Sequence, residues 1–297
     1  MIIRVVLVSA NIIQKILSFW WFRIILFLIF LTSIFYISKN IFTQIILLLG
    51  ISLLIESFRA KSSFKTFGFN FERDSLRFFL SAFLYTLLFF IIITFFDQAV
   101  NGIELFSTVD KFNLNYFLDI LVLIFFLALL EELIFRGIIY QALLQRFGKY
   151  SPTLILSILF VLAHIFFNNI TDTIFIINIF LANLLLSLMY LRTGSLWLPL
   201  SFHFFWNLFQ ALILGSPVSG FYYGIEIFQT NLHNPILLIS NQEVGFESSF
   251  ICTILLILTI PLVLKNFSIS PFMKSIFFHR AYLESILSEN NLHKSKS

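Results

Sequence analysis

Long apolar stretches, separated by short polar ones, recur along nearly the whole chain. The pattern predicts membrane-spanning helices at roughly 19–38, 41–55, 77–96, 116–142, 152–170, 173–191, 195–214 and 249–264. The second stretch is short for a span of about 20 residues and requires a locally thinner bilayer or flanking side chains that reach the membrane surface. We therefore expect an all-α, polytopic membrane helix bundle of about eight transmembrane helices, forming one integral-membrane domain over residues 1–297.

The composition agrees with the apolar pattern. Of the 297 residues, 59% are hydrophobic and 11% are charged, with a mean hydropathy of +0.97, whereas a soluble domain carries about 25% charged residues. We expect the lipid bilayer as a partner and no nucleic acid. The first residues predict no cleaved signal peptide. The single cysteine, Cys252, excludes an internal disulfide framework and a multi-cysteine metal site.

Basic residues predict the orientation of the spans. With eight spans, the N-terminus, the even-numbered loops and the C-terminus share one side, which collects all but two of the 19 Lys and Arg residues. The two exceptions are Lys39 and Lys111. The positive-inside rule therefore predicts a multi-pass protein of the cytoplasmic membrane with both termini in the cytoplasm.

Three segments outside the predicted spans differ in character. Residues 56–78 interleave five basic residues with phenylalanines, which is typical both of an interfacial segment on anionic lipid and of an ordinary cytoplasmic loop with aromatic anchors. Residues 215–248 hold three glutamates and no Lys or Arg, and we predict an external loop that covers the outer face of the bundle. Residues 266–297 are predicted to form a cytoplasmic tail.

A few polar residues lie inside the predicted spans. A charged residue at membrane depth costs at least about 2.5–3.5 kcal/mol, and it usually faces the bundle interior or a water-filled cavity. These residues are Glu131, Glu132, Arg136, His164 and His203, together with Asn178, Asn183 and Asn207. We expect Asn178 and Asn183 to form hydrogen bonds between helices.

The stretch "EELIFR" contains two adjacent acids, of which only the second has a basic partner on its own helix face. Glu132 and Arg136 are four residues apart on one helix face, which favours an ion pair. Glu131 is rotated by about 100° from Glu132 and has no partner on its own helix. Glu132 and Arg136 fit a structural role as well as a functional one, whereas an unpaired buried carboxylate is the stronger candidate for chemistry.

Two further stretches bring polar groups to the same depth. They are "FVLAH", which ends at His164, and "HFFWN", whose spacing puts His203 and Asn207 on one helix face. A single histidine in a membrane helix usually forms a helix–helix hydrogen bond. However, we expect the helix of the fourth span to end near Gly148, with the cytoplasmic boundary near residues 141–143. At 1.5 Å per residue, Glu131 then lies roughly 15–18 Å from the cytoplasmic boundary, His164 and Asn207 about 18 Å, and His203 about 12 Å. Three spans therefore contribute to one layer.

These residue types together fit hydrolysis of an amide bond. A carboxylate and a histidine can deprotonate a water molecule, and a second histidine with an asparagine can donate hydrogen bonds to the oxyanion that forms. The same carboxylate and histidine types also bind Zn²⁺, so metal-assisted hydrolysis fits as well. No H-E-x-x-H motif and no G-x-S-x-G motif is present.

The three stretches together resemble a known family. "EELIFR" matches an E-E-x-x-x-R motif, "FVLAH" an F-x-x-x-H motif and "HFFWN" an H-x-x-x-N motif, in that order, and "RTGSLWLPLSFH" precedes the last. Over residues 116–212 the chain resembles the CPBP intramembrane proteases, which include type II CAAX prenyl endopeptidases and the bacterial Abi or bacteriocin-immunity proteins. The resemblance implies an intramembrane endopeptidase acting on a peptide or membrane-anchored protein, in CAAX-type or bacteriocin and leader-peptide processing.

The resemblance also assigns roles. Glu131 is the implied general base, together with His164, and His203 and Asn207 are the implied oxyanion hole. Two further residues, Glu132 and Arg136, fall on positions that support the site.

Several alternatives remain open at the sequence level. We favour a mechanism without a cofactor, and the alternative is a zinc ion held by Glu131, His164 and His203. A non-catalytic immunity or scaffold protein could bind a peptide in the same cavity. A transporter or channel would also bury ionisable residues, although its polar path should reach both faces. The sequence leaves the oligomeric state open.

Overall fold

The helices occupy most of the chain that the computed structural model describes. It describes residues 19–57, 67–69, 73–101, 104–107, 113–148, 150–231, 243–265, 269–271 and 273–274. The α-helices in these ranges are α1 (Trp20–Ile37), α2 (Ile41–Ser57), α3 (Arg73–Asn101), α4 (Leu114–Ile134), α5 (Tyr140–Phe147), α6 (Tyr150–Asn168), α7 (Thr173–Thr193), α8 (Trp197–Asn207) and α9 (Phe250–Leu264). The predicted all-α bundle is confirmed.

Within the described ranges, four helices are long and apolar enough to cross a membrane. They are Trp20–Ile37, Asp74–Ala99, Tyr150–Asn168 and Thr173–Thr193. Helices α2 and α9 are apolar but shorter. The protein is thus a multi-pass membrane protein, while the count of eight spans and the side of each terminus stay predictions. Most of the predicted tail at 266–297 lies outside the described residues.

Local sequence explains where several helices begin and end. Asn113 Oδ1 accepts a hydrogen bond from the Tyr116 N–H (3.1 Å) at the start of α4. Asp172 Oδ1 does the same for the Phe175 N–H (2.7 Å) at the start of α7. Helix α5 ends at Gly148, whose φ of 74° is costly for any residue with a Cβ. The predicted end of this span near Gly148 is confirmed.

Apolar side chains cover the outside of the bundle and also form most of its core, which encloses a few charged and polar residues. Helix α3 packs along α8, and α7 packs against α6 and α9. Phe166 and Phe167 on α6 are 80% and 85% exposed, whereas Glu132, Arg136 and Asn183 are fully buried. Exposed apolar side chains around buried charged ones fit a lipid environment.

Two helices lose regular α-helical geometry at the end of a motif or just after it. The π segment Phe135–Ile139 joins α4 to α5, and the π segment Leu208–Ile213 follows α8. Within the first segment the backbone of Gly137 is not helical (φ −69°, ψ −114°), so α4 and α5 meet at a kink. The predicted span 116–142 is therefore not one regular α-helix. Turns of π geometry are frequent at functional sites.

A short sheet joins two connections on the predicted external side. Strand β1 (Glu104–Ser107) pairs antiparallel with strand β2 (Phe228–Asn231). The Ile227 N–H, just before β2, donates to the Leu212 carbonyl oxygen (2.9 Å), so the sheet is attached to the end of the second π segment. Residues 232–242 of the predicted external loop lie outside the described residues.

Part of the basic and aromatic connection packs against protein. The Gly68 carbonyl oxygen accepts a hydrogen bond from the Leu196 N–H (3.1 Å), and Phe67 is buried. The Phe69 ring meets the Trp197 ring edge to face, with centroids 5.7 Å apart. The other residues of this connection at 58–66 and 70–72 lie outside the described residues.

Candidate active site

Glu132 joins two of the three motifs. Its Oε1 accepts a hydrogen bond from Arg136 Nη1 (2.9 Å) and lies 3.0 Å from His203 Nδ1. The predicted ion pair of Glu132 with Arg136 is confirmed, and both side chains have no solvent exposure. Because a carboxylate accepts the bond, Nδ1 carries the proton and Nε2 points elsewhere. Glu132 thereby fixes the orientation of the His203 ring.

Arg136 also contacts two other helices, α7 and α6. Its Nη2 donates to Asn183 Oδ1 and to the Asn183 carbonyl oxygen (3.3 Å) on α7. Its guanidinium carbon lies 5.6 Å from the ring centroid of Phe160 on α6, which adds a cation–π contact. Among the described residues, Arg136 Nε and Glu132 Oε2 have no hydrogen-bond partner. The charges of Glu132 and Arg136 therefore balance each other, although one polar atom of each side chain forms no hydrogen bond with a described residue.

Asn183 extends this arrangement through α6 to α5. Its Nδ2 donates to Ser157 Oγ (3.2 Å), and Ser157 Oγ donates to the Thr153 carbonyl oxygen (3.0 Å). The Thr153 hydroxyl is hydrogen-bonded to the Tyr140 hydroxyl (2.7 Å). The predicted role of Asn183 in hydrogen bonds between helices is confirmed. We call Glu132, Arg136, Asn183, Ser157, Thr153 and Tyr140 the ion-paired network.

Glu131 is placed differently from its neighbour. Its Oε2 lies 3.8 Å from His203 Nε2, which is too long for a direct hydrogen bond. This oxygen is buried and has no hydrogen-bond partner in the part of the chain that the structure describes, although the side chain as a whole is 35% exposed. A separation of 3.8 Å allows one water molecule to bond both atoms.

One ring nitrogen of His164 is hydrogen-bonded, whereas the other has no hydrogen-bond partner among the described residues. Its Nδ1 lies 2.9 Å from the Phe160 carbonyl oxygen, and the ring packs against the Phe160 ring with centroids 4.4 Å apart. A carbonyl oxygen only accepts, so Nδ1 carries the proton and the neutral ring keeps a lone pair on Nε2. Within the described ranges, His164 forms no hydrogen bond or ion pair with Glu131. The structure brings His203 next to Glu131 instead.

Asn207 is the last residue of α8 and is half-buried. Its carboxamide forms no hydrogen bond with any described residue. The Phe90 ring packs against Trp206, the residue before Asn207, and against Phe209, two residues after it, with centroid distances of 4.9 Å and 5.9 Å. The Asn207 amide can thus bind a ligand, while the packing of the Trp206 and Phe209 rings against Phe90 fixes the backbone around it.

The fit of a metal ion can be examined from the side chains. In the described part of the chain, no three His, Cys, Asp or Glu side chains are arranged to hold a metal ion. Glu131 approaches His203, but the His164 ring is bonded to its own helix at Phe160. The zinc alternative therefore has no assembled ligand set among these residues.

One acid near this site was not predicted. Glu247, in the connection between α8 and α9, is only 5% exposed, and its carboxylate accepts hydrogen bonds from the Ser219 N–H (2.5 Å) and hydroxyl (3.4 Å). Burial raises the pKa of Glu247 to about 7, against the hydrogen bonds from Ser219 and the charge of His203, while the charge of Glu131 raises it further. Glu247 is therefore within electrostatic reach of both site residues.

Tyr223 lies in the same region. Its carbonyl oxygen accepts a hydrogen bond from the Tyr116 hydroxyl (3.3 Å). Burial raises the pKa of Tyr223 to about 12, and the charges of Glu131 and Glu247 contribute to the rise. The Tyr223 side chain is therefore within reach of both carboxyl groups. A loop of glutamates without basic residues was the only sequence signal for this part of the site.

Comparison with known proteins agrees with the motifs. Residues 113–209, about a third of the chain, match the family model described as type II CAAX prenyl endopeptidase Rce1-like. No curated protein and no solved structure matches the chain. The predicted resemblance to the CPBP intramembrane proteases is confirmed over this segment, which contains all three motifs. The match supports a CAAX-type intramembrane endopeptidase with a membrane-anchored peptide or protein as substrate.

Proposed function

We propose that this chain hydrolyses a peptide bond inside or beside the membrane, with Glu131 as the general base. The observation that supports this most is the position of Glu131 Oε2, which is buried and without a hydrogen-bond partner among the described residues, 3.8 Å from His203 Nε2. A carboxylate oxygen in a membrane protein is costly to leave uncommitted. Binding and deprotonating the attacking water gives that oxygen a function.

The attacking water is bonded by Glu131 and oriented by His164 Nε2, which carries the free lone pair. Glu131 takes one proton from this water, and the oxygen forms a bond to the carbonyl carbon of the scissile amide. The carbonyl oxygen becomes an oxyanion. Because Glu131 is not ion-paired to Lys or Arg among the described residues, its charge is available for this proton transfer.

The oxyanion is stabilised by His203 and Asn207. In this proposal His203 is protonated on both nitrogens, with Nδ1–H on Glu132 and Nε2–H on the oxyanion. The Asn207 amide donates the second hydrogen bond. Donors fixed before the reaction stabilise such an oxyanion better than water does, and Glu132 with Arg136 fixes the His203 ring.

The substrate is a membrane-associated protein or peptide, processed as a CAAX-type C-terminus or as a bacteriocin or leader peptide. The site lies in the cytoplasmic membrane, with both termini in the cytoplasm, as the basic residues predict. The reaction proceeds without a metal ion. Purified protein should keep its activity after exhaustive chelation, with no zinc found by metal analysis. Activity that is lost on chelation and restored by zinc would contradict this.

The decisive experiment replaces Glu131 by Gln. The assay uses an internally quenched peptide that ends in a farnesylated CAAX sequence, with the purified full chain in phospholipid vesicles. We expect kcat to fall by about 10²–10⁴-fold, the usual contribution of a general base, with no change in thermal unfolding. Asp119→Asn is the matched control, because Asp119 is an exposed acid on the same helix. Full activity of Glu131→Gln would refute the proposal, and wild-type protein that confers a phenotype without cleavage would favour the immunity or scaffold role.

A further inference from the structure

The connection from α8 to α9 folds back into the bundle at both of its described ends. Gln210, one turn after Asn207, donates from Nε2 to the carbonyl oxygens of Pro217 and Val244 (3.5 Å to the latter). Gly245 has a φ of 72°, and a Cβ at this position would clash with the Pro217 carbonyl oxygen. The two ends of the connection are therefore packed against each other beside the end of α8.

A second anchor fixes the backbone around Glu247. Asn178 Nδ2 donates to the carbonyl oxygens of Glu247 (2.8 Å) and Ser249 (2.9 Å). Asn178 Oδ1 in turn accepts a hydrogen bond from the Thr253 hydroxyl (2.6 Å). The prediction that Asn178 bonds between helices is confirmed, and its partner is the turn that carries Glu247. The side chain of Glu247 therefore starts from a fixed backbone.

The packing of this turn places it next to both histidine motifs. Val244 belongs to one apolar cluster with Phe160 and Phe175, the two rings that flank His164. The Phe246 ring lies 5.9 Å from Phe90, the residue that also packs against the rings on either side of Asn207. Packing therefore places the turn that carries Glu247 beside the helices that supply the proposed water and oxyanion contacts.

The titratable groups that interact electrostatically with Glu247 come from several elements. They are Glu131 on α4, His203 on α8, Cys252 on α9 and Tyr223 on the same connection, and the Ser219 N–H donates a hydrogen bond to the Glu247 carboxylate. No Lys or Arg is among them. A buried carboxyl group that faces another carboxylate holds its proton more strongly than an exposed one.

We propose that Glu247 is the general acid of this reaction and donates its proton to the leaving amine nitrogen. This inference rests on the proposed function of Glu131 and adds a second carboxyl group to it. As Glu131 takes a proton from water and the C–O bond forms, the C–N bond then breaks and its nitrogen takes the proton of Glu247. Glu131 then releases its proton to water and Glu247 takes one up, which restores both groups.

The chemistry of amides requires such an acid. An amine leaves a tetrahedral intermediate readily only after its nitrogen is protonated, and two carboxyl groups in different environments can divide the roles of base and acid. Glu131 is partly exposed and can reach water, whereas Glu247 is buried and bonded to Ser219. The two environments fit the two roles.

An ester substrate separates this role from a structural one. An alcohol leaves with less help from an acid than an amine does, so the test compares the farnesylated peptide with an analogue that has an ester at the scissile bond. For Glu247→Gln we expect kcat on the amide to fall about 10²-fold or more and kcat on the ester to fall less than about 10-fold. Gln keeps an oxygen that accepts the Ser219 N–H. Glu243→Gln, which changes an exposed acid of the same connection, is the matched control and should leave both rates near those of the wild type.

Each outcome decides between the two proposals. If Glu247→Gln lowers both rates equally, or neither, Glu247 is not the acid, while loss of both rates in Glu131→Gln still supports the proposed function. If Glu131→Gln hydrolyses the amide at the wild-type rate, the proposed function itself fails. The wild type gives a test without variants: kcat on the amide should fall as pH rises through about 7, and kcat on the ester should not. If kcat decreases with rising pH in the same way for the amide and for the ester, the inference is overturned.

Discussion

Glu131 and Glu132 are neighbours in the chain, yet they belong to regions of opposite character. Glu132 is fully buried, paired with Arg136 at 2.9 Å and bonded to His203. Glu131 is partly exposed, has one buried oxygen without a hydrogen-bond partner among the described residues, and approaches His203 only to 3.8 Å. One residue of helical rotation therefore separates an acid that organises the protein from an acid that is free to react.

The difference extends to the residues around each acid. The ion-paired network connects α4 to α5, α6 and α7 through successive hydrogen bonds. By contrast, Glu131 Oε2, His164 Nε2 and the Asn207 amide form no hydrogen bond with any described residue and lie outside this network. Within the network, only Glu132 Oε2 and Arg136 Nε lack a partner among the described residues, and their charges compensate each other. Buried polar groups normally have partners, and in our proposal substrate and water are the partners of the three groups outside the network.

The largest expected difference in stability is between Glu132→Gln and Glu131→Gln. The first leaves the buried Arg136 charge without its partner, and breaking such a pair costs about 3–5 kcal/mol. The second removes a charge that has no Lys or Arg partner among the described residues and should leave stability unchanged. Thermal unfolding in detergent micelles measures both. Equal stability of the two variants would mean that the comparison between the acids is wrong.

The next effect concerns Glu247 and pH. The folded protein raises the pKa of this carboxyl group from 4.5 to about 7, so between these values the folded state holds a proton that the unfolded state has released. The free energy of unfolding should therefore fall as pH rises through this window, by about 3 kcal/mol in total, and this contribution should not change at higher pH. Unfolding at several pH values in the wild type and in Glu247→Gln measures it. The same slope in both proteins would contradict the assignment.

A smaller effect is expected for Asn183→Ala. This change removes the Asn183 Oδ1 that accepts a hydrogen bond from Arg136 Nη2, while the Asn183 backbone carbonyl oxygen still accepts one, and it should cost about 1–3 kcal/mol. Because Arg136 holds Glu132 and Glu132 holds His203, kcat should fall while KM stays constant. Ser157→Ala leaves both Arg136 contacts in place and removes the bond from Asn183 Nδ2 and the bond to the Thr153 carbonyl oxygen, so it serves as the control. A change in KM alone would argue against a positioning role.

The smallest effect is expected for Phe160→Leu. Leucine keeps the apolar bulk and the backbone carbonyl that bonds His164 Nδ1, but it removes the ring under Arg136. Loss of this cation–π contact should cost about 0.5–2 kcal/mol. Phe175→Leu in the same apolar cluster provides the control for lost packing. Equal destabilisation of both variants would assign the effect to packing instead.

Contacts within one helix were predictable from the sequence. The four-residue spacing of Glu132 and Arg136 predicted their ion pair, and Gly148 predicted the end of the helix that follows. The apolar runs predicted most helices because a lipid-facing helix must be apolar over its length. Each of these signals depends on one segment at a time.

Contacts between distant segments were not predictable in the same way. His203 meets Glu132 across 71 residues of chain, and periodicity carries no information about which helices become neighbours. The connection at 215–248 was expected only to cover the bundle, but its two described ends pack inside and bring in Glu247. An acid without a basic partner, close to the start of an apolar run, was the signal that could have indicated this.

The kink within Phe135–Ile139 has a consequence for how the chain tolerates insertions and deletions. The backbone of Gly137 leaves helical geometry there, so the direction of the helix changes between Glu132 and Tyr140. Inserting or deleting one residue there would rotate the segment Tyr140–Phe147 by about 100° relative to α4. The Tyr140 hydroxyl would then point away from Thr153, while Glu131 and Glu132 would keep their positions. This segment thus sets the register between the two acids on α4 and the tyrosine that ends the ion-paired network.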